Sequence, residues 1–502
     1  MIDDAPDTYG QILKSTTIIG ASQATSILMK VAQAKVLAYF AGPAGIALFG
    51  LFNSITGTVG MLAGMGITNS GVRQIAEAVA CGDQVRITRS IVTLRRLAPF
   101  FGAIGTAILF LFRKNVCQLT FGHTGYSDSL ALLSLVVLLN AVSGGQTALI
   151  QGMRRVTDLA KVTICGAIGG AIVSFPFLYF WKDRGVAPLI VAVAGMTIFS
   201  SWWRARKIQV ARIRICLPEF LTEAKGLLRL GIVFMSTGVI TVGVIYLVRV
   251  LITRELGLRA TGLYEASYTL SNVYVSYVLG AMTADFYPRL TGVSEQNIVA
   301  TRVVNEQIEV GFLLTMPGLL ALLALAPFIL RLLYSTEFVL AYDILRWQML
   351  GSFLRVVTWP MAFIQLAKGR GKMFLLTETA SNAILVISMW LGIKYFGLPG
   401  AGMAFFVLYI SHFIMTYFVA RHLIDFRWSR ANLHLSIVSV PVVVSVFIAQ
   451  VAFPSSFSVG LGCAATLATG AYSMKTFYGL IGPAKIQTVA RKIAYSTRLF
   501  KV

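Results

Sequence analysis

Acidic residues are scarce in this sequence, which has 20 Asp and Glu against 43 Lys and Arg in 502 residues. Charged residues of both signs make up only 13% of the chain and hydrophobic residues make up 57%. A typical soluble domain has about 25% charged residues. With a mean hydropathy of +0.76, this composition excludes a soluble multidomain enzyme.

Metal ligands and catalytic motifs are also scarce. The five cysteines form no CxxC pair and the four histidines have no metal-binding spacing, so we expect no zinc site and no disulfide framework. No phosphate-binding loop is present, which excludes an ATPase within this chain. We therefore predict neither a metal nor a cofactor. The first residues are acidic, unlike a cleavable signal peptide, so the first apolar segment is expected to remain as a membrane span.

Long apolar segments dominate the chain instead. A helix needs about 20 mainly apolar residues to cross the hydrocarbon core of a bilayer. Fourteen segments meet this requirement, and the sequence predicts an all-α polytopic membrane protein with about fourteen transmembrane helices. The predicted spans are residues 13–40, 46–69, 91–112, 127–150, 158–181, 185–203, 228–252, 261–287, 307–333, 343–366, 373–396, 399–423, 433–453 and 457–479.

The basic residues indicate how these spans are oriented. When the connections are assigned to alternate sides of the membrane, 30 Lys and Arg lie on one side and 7 on the other. Cytoplasmic connections carry the excess of basic residues, so both termini are predicted to be cytoplasmic. Most of the net charge of +23 is then a topology signal, and nucleic acid is not an expected partner.

Short matches between the two halves indicate an internal duplication. Lys35 begins a Lys-Val-Leu sequence that resembles Arg-Val-Leu from Arg249, and residues 148–151 resemble 362–365, both at an offset of 214. This offset equals six spans, an even number, so the copies would form a parallel repeat. The predicted domains are an N-terminal lobe (1–204), a cytoplasmic linker (205–227), a C-terminal lobe (228–425), two extra helices (426–480) and a basic cytoplasmic tail (481–502).

The first span carries a polar stripe. Gln23, Ser26, Lys30 and Gln33 follow at spacings of three, four and three residues, so they share one helix face. A polar stripe in a membrane helix normally faces the bundle interior or a water-filled cavity. Lys30 is therefore the leading candidate for a cavity cation, and the alternative is a structural hydrogen bond to a neighbouring helix.

Three more basic residues within the spans are candidates for binding a substrate. Lys35 and Arg249 occupy matching places near the external ends of spans one and seven. They either extend to the lipid headgroups or face each other across a cleft between the lobes. Arg355 lies near the middle of span ten, where reaching the headgroups is harder, so a cavity role is expected.

Few carboxylates are available inside the spans to neutralise these cations. Glu265, Asp285 and Glu378 are the candidates for a proton or cation relay, and for each the alternative is a local salt bridge. The excess of cations suggests a substrate that itself carries negative charge. Phosphate or diphosphate is the natural match for Lys and Arg.

Four segments carry a resemblance to a known family: KVLAYFAGPAGIALFG (35–50), QTALIQGMRR (146–155), GLYEA (262–266) and YPRL (287–290). The chain resembles the polysaccharide flippases of the multidrug/oligosaccharidyl-lipid/polysaccharide (MOP) exporter superfamily. The similarity is to the Wzx type, which translocates O-antigen or lipid III, and it extends over about residues 10–425.

This resemblance implies a transporter rather than an enzyme. It implies two six-helix lobes in a V shape, alternating access in the bacterial inner membrane, and export to the periplasmic leaflet. The implied substrate is an undecaprenyl-diphosphate-linked oligosaccharide: O-antigen, exopolysaccharide or a lipid III repeat unit. Coupling to a proton or sodium gradient, and a polysaccharide polymerase or chain-length regulator as partner, are left open.

Two other transport functions stay open as alternatives. A lipid II flippase for peptidoglycan synthesis would share the fourteen spans and a cationic cavity. A multidrug or cation antiporter of the same superfamily would be expected to hold carboxylates in its cavity, whereas this chain has mainly bases there.

The predicted topology can be tested with epitope tags. A tag fused to either terminus should resist protease added outside intact spheroplasts, because both termini are expected on the cytoplasmic side. A tag in the predicted external connection at 113–126 should be cleaved under the same conditions. Cleavage at one terminus alone would contradict an even number of spans.

Overall fold

The computed structural model describes residues 8–208, 216–453 and 455–481, and within these ranges the secondary structure is helical, without a strand. The predicted all-α fold is thereby confirmed. The predicted basic tail at 481–502 lies outside the described residues beyond Ile481, as do residues 209–215 of the predicted linker. The helices are α1 (Thr8–Ala63), α2 (Ile67–Ala80), α3 (Gln84–Leu111), α4 (Arg113–Phe121), α5 (Ser127–Gly152), α6 (Val156–Trp181), α7 (Val186–Ala205), α8 (Leu217–Gly292), α9 (Asn297–Leu333), α10 (Tyr342–Ala367), α11 (Gly371–Phe396), α12 (Leu398–Ile424), α13 (Arg430–Ala452) and α14 (Ser455–Ile481).

Ten helical stretches in the described ranges are long and apolar enough to cross a membrane. Three of them, Gly20–Ala63, Val156–Ala205 and Leu217–Gly280, contain 44, 50 and 64 residues. Each is long enough for two crossings at about 20 residues per crossing. With α14, which has 27 residues, these helices account for the predicted number of about fourteen spans.

Glycines divide the two longest helices at matching places. The backbone of Gly42 in α1 has φ 58° and ψ −161°, and that of Gly257 in α8 has φ 83° and ψ 173°. Only glycine adopts this conformation readily, because a Cβ atom would clash with the backbone. The two breaks are 215 residues apart, close to the offset of the sequence matches, which supports the internal duplication.

The second predicted span, 46–69, extends too far at its C-terminal end. The helix stops at Ala63, the chain turns through Met65 (φ 44°) and Gly66 (φ 65°), and α2 begins at Ile67. The turn lies against α8, since a Cβ on Gly66 would be 2.1 Å from the carbonyl oxygen of Gly231. Ile67 extends the apolar run past this turn before polar residues begin at Thr68, so hydropathy placed the end of the span too far along the chain. The connection predicted after the third span is also partly helical, as α4.

The chain forms two compact units. The first comprises the residues up to Ala266 together with Arg331–Phe338, and the second comprises Ser267–Leu330 and the residues from Val339 onward. The first unit has an apolar core that includes Ile75, Leu94 and Leu227. A separate core in the second unit includes Phe286 and Phe426. The division into lobes by the sequence repeat stays a prediction, since compactness and duplication are different criteria.

Two buried asparagines attach α13 to α9 in the second unit. The side-chain oxygen of Asn305 accepts hydrogen bonds from the backbone N–H of Ser429 and from the Asn432 amide, both at 2.9 Å. The Asn305 amide donates to the carbonyl of Arg427 at 3.0 Å. Asn305 is 6% exposed and Asn432 is 2% exposed. The start of α13 is thus held by polar contacts inside an otherwise apolar bundle.

Replacing Asn305 should loosen this attachment. Asn305→Leu removes the acceptor of the Ser429 N–H and leaves the Asn432 amide with the backbone carbonyl of residue 305 alone, and a buried group that loses its partner costs about 1–3 kcal/mol. We expect a lower midpoint of thermal unfolding for the detergent-purified protein. Asn297→Leu is the matched control, because this exposed α9 residue accepts a single hydrogen bond from Lys368. Equal midpoints for the two variants would contradict a structural role for Asn305.

Candidate functional site

A buried ion pair lies beside the break in α8. Arg249 and Glu265 stand eight residues before and after Gly257, and the break folds the helix back so that their side chains meet. Arg249 Nη2 donates to Glu265 Oε2 at 2.7 Å, and its Nε donates to the other carboxylate oxygen. Glu265 is only 6% exposed. The pairing is therefore bidentate and desolvated, the strongest arrangement for these two groups.

The first half of the chain completes this pair. Arg249 Nη1 donates to the hydroxyl of Ser54 in α1, which is also buried. A Cβ atom on Gly50 would lie 2.9 Å from Glu265 Cδ, so a larger residue would displace the carboxylate. Gly50 and Glu265 are 215 residues apart, so equivalent positions of the two copies contact each other here.

Lys35 binds backbone carbonyls, unlike Arg249, which binds a carboxylate and a hydroxyl. Its Nζ donates to the carbonyl oxygens of Tyr334 at 2.7 Å and Arg331 at 3.4 Å. These carbonyls are at the C-terminal end of α9, where unpaired carbonyls and the helix dipole favour a cation. Lys35 thus caps a helix, although it matches Arg249 in the sequence repeat.

Part of the polar stripe of α1 is packed against other residues, and part of it is exposed. Ser26 is buried, and the side-chain oxygen of Gln33 faces α6, where a Cβ atom on Gly170 would lie 3.6 Å from it. Gln23 and Lys30 are exposed. Lys30 makes no hydrogen bond or ion pair with any residue that the structure describes, so its charge is not balanced there.

Arg355 is bound by neutral groups in the second unit. From α10 its Nη1 donates to Asn272 Oδ1 at 2.5 Å and its Nη2 donates to Ser276 Oγ at 3.3 Å. Both partners are on α8. No carboxylate forms an ion pair with Arg355 among the described residues, so the neutral partners orient the guanidinium without neutralising it.

The remaining predicted carboxylates are not in ion pairs within the described ranges. Glu378 is half-buried on α11, and Asp285 is exposed on α8. Tyr409 of α12 lies close enough to Arg355 and Glu378 for both charges to act on it. Arg355 and Glu378 are thus within electrostatic range of the same tyrosine, although no hydrogen bond or ion pair joins the three side chains among the described residues.

An apolar groove of about 490 Å³ runs along α10 in the same unit. Leu354 and Val357, which flank Arg355 in the sequence, line it together with Phe406 of α12 and Leu433 and Val440 of α13. One helix therefore carries a cation and contributes to an adjacent apolar groove. This is a suitable environment for an amphiphile with an anionic head.

Sequence reasoning identified the cations but not their neutral partners. Ser54 lies beside Asn53, and Asn272 and Ser276 are four residues apart among several other polar residues of α8, so nothing in the sequence marks these three as partners of a cation. Gly50 could have been identified from the internal repeat, because it lies 215 residues before Glu265, close to the offset of the sequence matches. Among the described residues no cluster of three or more His, Cys, Asp or Glu could hold a metal ion.

The helical architecture is shared with solved transporters of the MOP superfamily. An inward-facing multidrug resistance MATE family transporter of the MOP superfamily gives a TM-score of 0.65 at 14% identity, over 80% of this chain and 94% of that one. The lipid II flippase MurJ in an inward closed conformation gives 0.66 at 13% identity, over 94% of this chain and 100% of that one. At these identities the likeness shows the fold.

Sequence comparison gives the family. Residues 36–342, more than half of the chain, match the model of a family described as polysaccharide biosynthesis protein, and the chain belongs to this family. The lipid III flippase of Escherichia coli strain K12 is 23% identical over 381 residues, which are 76% of this chain and 91% of that protein. The lipid III flippase of Shigella flexneri gives the same values.

The ion pair gives a double-mutant prediction. Arg249→Met or Glu265→Leu alone should destabilise the protein by about 3–5 kcal/mol, because each leaves the remaining charged side chain without its partner. The double variant Arg249→Met/Glu265→Leu should recover most of this loss. The measurement is the midpoint of thermal unfolding in detergent. Additive losses in the double variant would show that the two side chains do not act as a pair.

Proposed function

We propose that the protein is a flippase for undecaprenyl-diphosphate-linked oligosaccharides, which it moves from the cytoplasmic to the periplasmic leaflet by alternating access. The observation that carries the proposal is that two cations inside membrane helices have no carboxylate partner among the described residues. Lys30 is unpaired among the described residues, and Arg355 has neutral partners only. A basic side chain near the bilayer centre costs roughly 2.5–3.5 kcal/mol on insertion scales, and a bound anion would offset this cost.

The two ends of such a substrate need different environments. Each polar group of a sugar chain that enters hydrocarbon without a partner costs kcal/mol, so the head group requires a wet path lined with polar side chains. A diphosphate matches the charge and hydrogen-bond donors that Lys30 offers in the first unit, and equally those that Arg355 offers in the second. The apolar groove beside α10 suits the polyprenyl tail, which then stays out of water throughout the cycle.

The family membership and the lipid III flippase relatives support this substrate class. Lipid II is the alternative substrate, and the MurJ fold is compatible with it. A multidrug or cation antiporter is disfavoured, since such a protein would be expected to hold carboxylates in its cavity, whereas Lys30 and Arg355 are cations. The exported unit would next be polymerised, so a polysaccharide polymerase or a chain-length regulator is the partner that we propose.

The location follows from the charge distribution. Thirty bases on one side of the predicted spans against seven on the other favour cytoplasmic termini. A substrate built on a polyprenyl diphosphate carrier places the protein in the bacterial inner membrane. We also propose that a proton or sodium gradient supplies the energy, and that Glu378 is the carboxylate that takes up the ion.

The test is a cellular export assay combined with site variants. Lys30→Ala and Arg355→Gln should each reduce surface glycan at least tenfold, with unchanged protein in the membrane and lipid-linked oligosaccharide accumulating in the cytoplasmic leaflet. Lys114→Ala and Arg302→Gln are matched controls, because both replace exposed bases and should leave export unchanged. Collapse of the ion gradient should slow wild-type export and have little further effect on Glu378→Gln.

Three outcomes would change this proposal. Normal surface glycan in both cation variants would remove Lys30 and Arg355 from the mechanism. Accumulation of lipid II after deletion of the gene would assign the protein to peptidoglycan synthesis. Equal sensitivity of wild type and Glu378→Gln to the ion gradient would remove Glu378 from coupling.

A further inference from the structure

A cationic cavity lies at one end of the first unit, between α3, α5 and α7. Its volume is about 540 Å³, and its polar lining comprises Arg95, Gln146 and Arg206, with Trp202 beside them. Gln146 lies six residues before the end of α5, and Arg206 directly follows the end of α7. Tryptophan concentrates at the level of the lipid headgroups, so the cavity lies where a membrane helix leaves the hydrocarbon.

The two arginines of this cavity lack acidic partners. Nearby bases have them: Arg89 is 2.5 Å from Glu219, and Arg204 is 3.8 Å from Asp158. Neither Arg95 nor Arg206 forms an ion pair with a carboxylate in the ranges that the structure describes. The positive charge of these two arginines is therefore unbalanced within the cavity.

Stacking orients one of these guanidinium groups. The central carbon of Arg206 is 3.5 Å from the ring centroid of Trp203 and 4.9 Å from that of Trp202. Such stacking uses the face of the guanidinium and leaves the N–H groups at its edge available for a second partner. Gln146 is also held in place, since its side-chain oxygen accepts a hydrogen bond from Ser201 at 2.5 Å. Two guanidinium groups and an amide are donors that suit a phosphate.

An apolar groove of about 470 Å³ lies alongside, and Met196, Phe199 and Trp203 of α7 line it. Trp203 connects the two features, because its ring supports Arg206 and also lines the groove. A free anion would occupy the cavity alone, because it has no apolar part that could lie in the groove. A phospholipid would place its phosphate on the arginines and an acyl chain along Met196 and Phe199.

We propose that this cavity binds the headgroup of an anionic phospholipid, with an acyl chain in the adjacent groove. Basic pockets between membrane helices at the interface are known to hold such headgroups. The site uses none of the residues assigned above to the transported substrate, so it stands independently of the proposed function. The lipid would be a resident ligand that stabilises the first unit.

Native mass spectrometry of the delipidated full-length protein tests this proposal. Added phosphatidylglycerol should be retained at least fivefold more than phosphatidylcholine. Arg95→Gln/Arg206→Gln should abolish this preference, and Arg206→Lys, which keeps the charge but loses the planar stack, should weaken it. Lys207→Gln is the control, since this exposed neighbour of Arg206 does not line the cavity. An unchanged elution volume in gel filtration would show that the double variant is folded.

A second comparison distinguishes a lipid from a free anion. Phe199→Ala should reduce retention of phosphatidylglycerol, and millimolar inorganic phosphate should displace the lipid poorly. Equal retention of phosphatidylglycerol by the wild type and by Arg206→Lys and the double variant would overturn the proposal. Displacement by inorganic phosphate with no effect of Phe199→Ala would also overturn it, and would assign the cavity to a soluble anion.

Discussion

An arginine in a membrane helix is stabilised by a countercharge at the same depth, and for Arg249 a single backbone break supplies it. In a straight helix Arg249 and Glu265, sixteen residues apart, would be about 24 Å from each other. The conformation of Gly257 folds α8 so that the two side chains form a bidentate pair. Glycine at 257 is therefore a condition for burying the arginine, and Gly50 and Ser54 complete the enclosure.

The same pair explains why the two sequence copies differ. Lys35 corresponds to Arg249, but the position that corresponds to Glu265 is Gly50. The first copy thus has no carboxylate for its cation, and Lys35 binds the carbonyl groups at the end of α9 instead. A Glu at position 50 could not coexist with Glu265, because even a Cβ there approaches the carboxylate to 2.9 Å. Close contact between equivalent positions forces the copies to become unequal.

Much of the fold could be predicted from the sequence, because the thickness of the bilayer sets the length of each apolar segment. The breaks between the spans and the inventory of cations follow from local patterns. The turn at Met65 and Gly66 did not, since Ile67 extends the apolar run past the turn before polar residues begin at Thr68. The partners of Arg355 did not either, because Asn272 and Ser276 become special only when α8 packs against α10. Contacts between distant helices are the part that one sequence does not reveal.

The partners of the four predicted cations divide these cations into two groups: those that hold helices in place and those that are available to a substrate. Removing one partner of a buried ion pair costs about 3–5 kcal/mol, so a substrate that drew Arg249 away from Glu265 would pay a large penalty. A hydrogen bond between a charged group and a neutral one contributes about 1.5–3 kcal/mol, and a bound anion can replace it with a stronger charge-assisted bond. Arg355 can therefore exchange Asn272 and Ser276 for a diphosphate more easily than Arg249 can leave Glu265, and Lys30 has no described partner to give up. In a cycle where the substrate must bind and leave repeatedly, these two cations are suited to transport, whereas Arg249 and Lys35 are suited to hold the helices in place.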